Sequence, residues 1–212
     1  MSEMNTKAMH KISYGLFVCT AAAGDKLNGC IINTAIQAAS TPNCITIAIN
    51  KANHTHDMIM QTGKCNVSVI SKEADFSLFK RFGFASGKDT DKFADFSADS
   101  YRMAENGIPY ITQGTNAYFS LKVVSTTDLG SHTLFICEPT GMDVLSDAPS
   151  CTYEHYLKEI KPKPEAVGKT AEGKTVWRCT ICGFEWEGEE LPDDFICPTC
   201  KHPKADFEKI VK

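Results

Sequence analysis

The sequence has no excess of positive charge and no long apolar run, and these absences exclude whole classes of function. It carries 22 Lys and Arg residues against 26 Asp and Glu residues, a formal net charge of −4. Without a basic surface to attract phosphate backbones, we expect no nucleic acid partner. The longest uncharged stretch, residues 27–50, is interrupted by Asn, Gln, Ser and Pro, which are costly in lipid, so we expect no membrane partner. Residues 1–11 show no apolar signal segment, which favours a cytoplasmic location.

The sequence also lacks a G-x-G-x-x-G motif, so nothing supports a Rossmann dinucleotide site. Residues 168–175 do match the phosphate-loop pattern G-x-x-x-x-G-K-[ST]. A phosphate loop leaves a buried strand and opens a helix, whereas this match follows Pro162 and Pro164. We therefore interpret residues 161–174 as a linker between a domain at residues 1–160 and a small domain at residues 175–212.

The first 145 residues are predicted to be mainly β-structure. The predicted strands are residues 14–20, 30–37, 44–50, 65–70, 117–126 and 133–144, and the predicted helices are residues 54–61 and 73–82. Turn residues at 128–131 predict an antiparallel hairpin between the last two strands. Many strands and few helices favour a β-barrel.

Four of the ten cysteines form two closely spaced pairs near the end of the sequence, Cys179-x-x-Cys182 and Cys197-x-x-Cys200. Two such pairs can direct four thiolates tetrahedrally at one metal ion. A domain of 38 residues, 175–212, is too small to be stable on its core alone, so metal binding would supply much of its folding free energy. Zinc and iron both suit four sulfur ligands. Iron is favoured by the aromatic shell that would limit water at the metal, formed by Trp177, Phe184, Trp186, Phe195 and Phe207.

This segment resembles the rubredoxin-like domain of rubrerythrins. The resemblance is carried by Trp-Arg-Cys-Thr-Ile-Cys-Gly-Phe at 177–184, Cys-Pro-Thr-Cys at 197–200 and His-Pro-Lys-Ala-Asp-Phe at 202–207. It implies one iron ion per chain, bound by Cys179, Cys182, Cys197 and Cys200. The spacer of 14 residues between the pairs is shorter than in ordinary rubredoxins. A structural zinc ribbon stays open as the alternative, and zinc can replace iron in recombinant material.

Two polar segments of the β domain predict a ligand site. Residues 28–37 are unusually polar for a buried region, and a ligand with carbonyls, ring nitrogens and phosphate would satisfy such groups. Residues 51–55 precede the first helix, where hydroxyl, amide, ammonium and helix N–H groups can surround a phosphate. Simpler roles stay open for the same residues: Lys51 as a surface charge and Asn53 as a helix cap.

Over residues 8–158 the chain resembles the flavin reductase family, which has the split-barrel FMN-binding fold. The motifs that carry the resemblance are Tyr14-Gly15, Asn28-Gly29, Asn33-Thr34-x-x-Gln37, Lys51-x-Asn53-x-Thr55, Phe82-Gly83 and residues 86–93. It implies a mainly β, FMN-binding split β-barrel that forms a homodimer. The family pattern assigns the isoalloxazine and ribityl contacts to Asn33, Thr34 and Gln37, the phosphate contacts to Lys51, Asn53 and Thr55, and further contacts to Ser86 and Lys92. No residue is predicted to act as a catalytic acid or base.

The fusion of the two modules resembles the high-molecular-weight rubredoxins. That resemblance implies electron transfer from NADH or NADPH through FMN to iron, and onward to a redox partner protein, an A-type diiron flavoprotein that reduces nitric oxide or dioxygen. Bound cofactors would carry the redox chemistry, while the protein binds and orients them. Two alternatives stay open: a free-flavin or ferric reductase with an accessory tail, and a non-catalytic binding module with a zinc ribbon.

Overall fold

A computed structural model describes residues 4–162, 175–179, 184–197 and 203–211 of the chain. The chain divides into two compact units, Met1–Lys161 and Pro162–Lys212. In the described ranges no helix is long and apolar enough to cross a membrane.

The first unit is built mainly of β-strands. Its strands are β1 (Phe17–Ala23), β2 (Lys26–Ile32), β3 (Ile36–Ser40), β4 (Asn43–Asn50), β5 (Lys64–Ile70), β6 (Tyr101–Met103), β7 (Pro109–Ile111), β8 (Thr115–Asp128) and β9 (His132–Val144). Its helices are α1 (His54–Thr62), α2 (Phe76–Phe79) and α3 (Tyr153–His155). Short 3-10 turns at Thr6–Lys11 and Ala98–Ser100 and π-helical turns at Lys80–Phe84 and Tyr156–Ile160 complete it.

Seven of these strands form one antiparallel sheet in the order β2-β1-β5-β8-β9-β4-β3. Its centre is the long hairpin of β8 and β9, which confirms the predicted hairpin. The strands β6 and β7 form a separate two-stranded ribbon. The prediction of a mainly β fold is confirmed.

Apolar side chains of the seven-stranded sheet and of α1 form a buried core. In β4 every second residue is buried, and Ile47 and Ile49 are fully enclosed with Phe135 of β9. This alternation places one face of the strand in the core. A second cluster, which includes Leu16, Phe79 and Phe82, lies between the sheet and the helical segments.

Helix α1 forms where the sequence predicts it. It ends at Gly63, whose φ of 67° is the left-handed conformation that terminates helices, and whose N–H donates to Ile59 O. The predicted helix at 73–82 is wrong in extent. Asp75 caps a helix that begins only at Phe76, and Ser77 N donates to its carboxylate, before the chain turns into a π-helical segment.

The predicted strand at 30–37 is also wrong, because it is two strands joined by a break. β2 ends at Ile32 and β3 begins at Ile36. Within the break, Thr34 Oγ1 donates to Ala48 O at 2.6 Å and accepts from Ala48 N at 3.2 Å. A side chain therefore takes the place of backbone pairing with β4 at this point.

The second unit has a three-stranded sheet in the order β11-β10-β12. Its strands are β10 (Thr175–Cys179), β11 (Glu185–Glu187) and β12 (Phe207–Val211), and a 3-10 turn spans Lys204–Asp206. Cys179, Leu191, Cys197 and Phe207 form its buried core, with Trp177, Phe184, Trp186 and Phe195 packed against them.

Candidate functional site

The residues predicted to contact the ring system and ribityl chain lie along β3 and the break before it. Asn33 and Thr34 are half-buried in the break, and Gln37 is exposed on β3. Gln37 Nε2 donates to Asn43 Oδ1 at 3.3 Å. The hydroxyl of Thr34 is used by Ala48, so Thr34 can contact a ligand only through its other atoms or a second hydrogen bond.

The residues predicted to bind the ring lie beside β4, and Lys51 lies just beyond its end, before α1. Gln37 is opposite Ile45, and Thr34 contacts Ala48 further along the same strand. Lys51 comes directly after the last residue of β4. The side chains predicted to bind the ring and the side chains predicted to bind phosphate are therefore arranged along one strand.

The start of α1 carries backbone N–H groups without a side-chain cap. Asn53 occupies the N-cap position with φ −75° and ψ 130°, but its side chain makes no capping hydrogen bond. The first N–H groups of a helix have no intrahelical partner, and such groups bind anions readily. The helix start and the adjacent Lys51 ammonium are a donor set that suits a phosphate.

Thr55, the third predicted phosphate residue, is fully buried. Its Oγ1 accepts a hydrogen bond from Asn28 Nδ2 at 3.1 Å. Burial raises the pKa of the neighbouring Cys30 thiol, and the hydroxyl of Thr55 and the charge of Lys92 act in the opposite direction. Thr55 therefore ties α1 to β2 beneath the helix start.

Lys92 belongs to the same buried group. It is only 4% exposed, and its Nζ donates to Gly29 O at 2.8 Å and to Phe82 O at 3.2 Å. Burial lowers the pKa of Lys92 from 10.5 to about 8. Ser86, by contrast, is exposed, and its hydroxyl accepts a hydrogen bond from Lys88 N.

Asn28 begins the polar segment that is predicted to contact a ligand, but the sequence assigned it no individual contact. It is 3% exposed, and its Oδ1 has no hydrogen-bond partner among the described residues. A Cβ at Gly87 would lie 2.3 Å from that oxygen, so only glycine allows the 85–92 loop to cover Asn28. The signal in the sequence was a polar residue inside a strand that is otherwise buried.

An apolar cavity of about 460 Å³ lies beside β3 and is lined by residues of β1, β4, β5, β8 and β9. Phe17, Phe119 and Met142 line it, together with Ala35 and Gln37 from the break and β3. Its size is in the range of small-molecule sites. FMN has a flat ring system at one end and a phosphate at the other. The apolar cavity and the amide groups beside it fit the ring system, and the cationic and N–H donors beyond the end of β4 fit the phosphate.

The candidate metal centre is described only in part. Cys179 and Cys197 are buried in one cluster, and Cys179 N donates to Phe184 O at 2.8 Å. Cys182 and Cys200 lie outside the described residues. Within the described ranges no group of three or more Cys, His, Asp or Glu side chains is placed to hold a metal. The two buried thiols, with their aromatic neighbours, have the donor chemistry that iron or zinc requires.

Comparison with known families divides the chain in the same order. Residues 9–161 match the family described as Flavin reductase like domain. Residues 177–208 match the family described as Rubrerythrin, rubredoxin-like domain.

Individual proteins agree with this division. A high molecular weight rubredoxin of Moorella thermoacetica is 36% identical over 232 residues, which cover 98% of this chain and 100% of that protein. A ferric-chelate reductase (NAD(P)H) of Archaeoglobus fulgidus is 36% identical over 174 residues, covering 82% of this chain and 98% of that protein. The solved structure of the Streptomyces globisporus NADH:FAD oxidoreductase SgcE6 aligns with a TM-score of 0.61 at 17% identity, over 72% of this chain and 92% of that one.

Proposed function

The chain belongs to the flavin reductase-like family, and on that premise we propose that it transfers electrons from NAD(P)H through FMN to one iron ion. The observation that carries this proposal is the presence of both modules in one chain, in the arrangement of a high molecular weight rubredoxin over its full length. When bound, FMN takes two electrons as a hydride and can release them one at a time, which is what a single iron ion accepts. The chain's own residues bind and orient the two cofactors.

In this proposal the flavin residues have two kinds of role. Asn33, Gln37 and Asn53 have side chains that can reach a ligand directly, and Lys51 supplies the positive charge for the phosphate. The remaining proposed residues are Thr34, Thr55, Ser86 and Lys92. The polar side-chain groups of Thr34, Thr55 and Lys92 already form hydrogen bonds within the protein. We assign these three to shaping the site.

Substitution of Lys51 tests the phosphate assignment. Lys51→Ala should weaken FMN binding about tenfold, because a charge-assisted contact to phosphate is lost, while riboflavin, which has no phosphate, should bind as before. Fluorescence titration of the flavin-free chain measures both affinities. Lys158→Ala, which removes a more exposed lysine from its ion pair with Glu154, is the control. Unchanged FMN affinity in Lys51→Ala would remove Lys51 from the site.

The proposed iron ligands are Cys179, Cys182, Cys197 and Cys200. Metal analysis of the purified chain, with its visible absorption before and after dithionite, distinguishes iron from zinc. One iron and one FMN per chain are expected. Zinc without flavin in protein from the native host would instead favour the binding-module alternative.

We propose that a second copy of the chain binds over the apolar cavity. Ile36 and Met142, which line the apolar cavity, are 65% and 51% exposed, and Val144 on the same strand as Met142 is 69% exposed. Exposed apolar groups of this kind mark interaction surfaces. Sedimentation analysis is expected to give a homodimer. For the redox partner, the resemblance to high-molecular-weight rubredoxins favours an A-type diiron flavoprotein, which reduction assays with that protein would test.

The similarity to a ferric-chelate reductase supports a second candidate function. In that case electrons leave the flavin for an external ferric chelate, and the iron domain is accessory. Cys200→Ser separates the candidates: ferric-chelate reduction at the wild-type rate supports the second function, whereas a large loss of electron delivery to a protein acceptor supports the first.

A further inference from the structure

The tip of the long β8–β9 hairpin is bonded to the residues that directly precede α1. Lys51 N donates to Ser131 O at 3.0 Å, and Asn50 is opposite His132 in the β4–β9 register. On the side-chain level, Lys51 Nζ lies 2.6 Å from Asp128 Oδ1. Residues 77 positions apart in the sequence therefore form an ion pair beside the donors proposed to bind phosphate.

The carboxylate of Asp128 is held in place independently of Lys51. The same oxygen, Oδ1, accepts a hydrogen bond from Gly130 N at 2.7 Å within the hairpin turn. Hydrogen bonding by Lys51, and then by Gly130 N–H, lowers the pKa of Asp128, so the group is ionised at neutral pH. A fixed negative charge therefore contacts the ammonium on which phosphate binding depends.

The pair is also accessible enough to be exchanged for a ligand. The side chain of Lys51 is 38% exposed and that of Asp128 is 71% exposed. Exposed ion pairs are weak and are screened by salt, so an incoming dianion can displace one. To contact Lys51, the FMN phosphate must either displace Asp128 or bind next to its negative charge. Either alternative lowers the affinity for FMN.

We propose that Asp128 is a specificity-determining residue that competes with the FMN phosphate for Lys51 and so weakens binding of phosphorylated flavins relative to riboflavin. The inference rests on the proposed FMN site. In this proposal Lys51 strengthens FMN binding and Asp128 at the hairpin tip weakens it, although the two side chains are in direct contact.

The test compares Asp128→Asn with wild type in fluorescence titrations of the flavin-free full-length chain, using FMN and riboflavin as probes. Asparagine retains an oxygen that can accept the Gly130 N–H bond, so the hairpin turn is preserved while the charge is removed. FMN should bind about two- to fivefold more tightly, the range expected when one exposed charge contact is lost, and riboflavin should be unaffected. The gain should shrink at high salt and in the Lys51→Ala background.

Glu154→Gln is the matched control, because it removes an exposed carboxylate that forms an ion pair with Lys158 on α3 and its following turn. It should change neither affinity. Unchanged or weaker FMN binding in Asp128→Asn, or equal tightening of riboflavin, would overturn the inference and leave the FMN site standing. A wild-type chain that binds neither flavin would overturn the proposed function and the inference with it.

Discussion

The two units of the chain are stabilised in different ways. The first unit buries a large set of aliphatic and aromatic side chains, among them Ile47, Ile49 and Phe135, which are fully enclosed. Two of the five residues that are buried in the described part of the second unit are cysteines; the five are Val176, Cys179, Leu191, Cys197 and Phe207. A unit this small is expected to need a bound metal to offset the entropy of folding. The comparison indicates that the first unit folds by apolar burial, and it leads us to expect that the second unit depends on a metal.

Removing one proposed metal ligand is the strongest way to break this comparison. Cys197→Ser should abolish the iron absorption and unfold the second unit, because metal binding contributes on the order of 10 kcal/mol to small domains of this type. FMN should stay bound to the first unit. Absorption spectroscopy and circular dichroism measure both effects, and Ser125→Ala, at an exposed position of the first unit, is the control. Loss of FMN together with iron would contradict the separation of the units.

The converse change weakens only the first unit. Ile47→Ala removes a fully buried side chain from the barrel core and should lower its free energy of unfolding by about 2–5 kcal/mol. Iron absorption should be retained. Ile12→Ala, at a position 49% exposed and outside the apolar cavity, should change stability by less than about 0.5 kcal/mol. Chemical denaturation followed by circular dichroism gives both values; equal costs at the two positions would show that the assigned core is incorrect.

The buried hydrogen bond between Thr55 and Asn28 tests how much polar contacts contribute to the stability of the first unit. Thr55→Val removes the hydroxyl that accepts from Asn28 Nδ2, so a second polar atom of Asn28 loses its partner, at a cost of about 1–3 kcal/mol. FMN affinity should fall as well. Thr62→Val is the control on the same helix, because the hydroxyl of Thr62 is half-buried and donates to Met58 O within the helix and, at 3.5 Å, to Lys64 O. Equal effects of the two substitutions would remove Thr55 from the support of the site.

The pH dependence of stability reports on Lys92. Its pKa is about 8 in the folded chain, against 10.5 ordinarily, so between these values the unfolded chain binds the proton more tightly. Stability should therefore rise with pH in that window, by at most about 1.4 kcal/mol per pH unit. Urea denaturation of wild type and Lys92→Met across the window measures this contribution as the difference in slope. Parallel slopes would mean that Lys92 is not buried as a titrating group.

Much of the architecture could be predicted from local sequence patterns. The hairpin of β8 and β9 follows from two strand segments around turn residues, and α1 follows from its stop at Gly63. The paired cysteines predict a metal site from their spacing, and that site stays a prediction. These features depend on neighbours in sequence, which is why a single sequence was sufficient.

The details of the site depend on residues that are distant in sequence. The break between β2 and β3 exists because Thr34 bonds to Ala48 in the next strand, and no local propensity encodes that replacement. The burial of Lys92 against Gly29 and the pairing of Lys51 with Asp128 are also long-range contacts. Tertiary packing decides such positions, so the sequence could select the residues but not their partners.

Stopped-flow reduction with NADH under anaerobic conditions tests the central claim most directly. The proposed route predicts that flavin absorption bleaches first and that iron absorption bleaches afterwards, at a rate that depends on prior flavin reduction. Cys200→Ser should show the flavin phase alone. Iron absorption that remains unchanged after the flavin is fully reduced would contradict electron transfer between the two units.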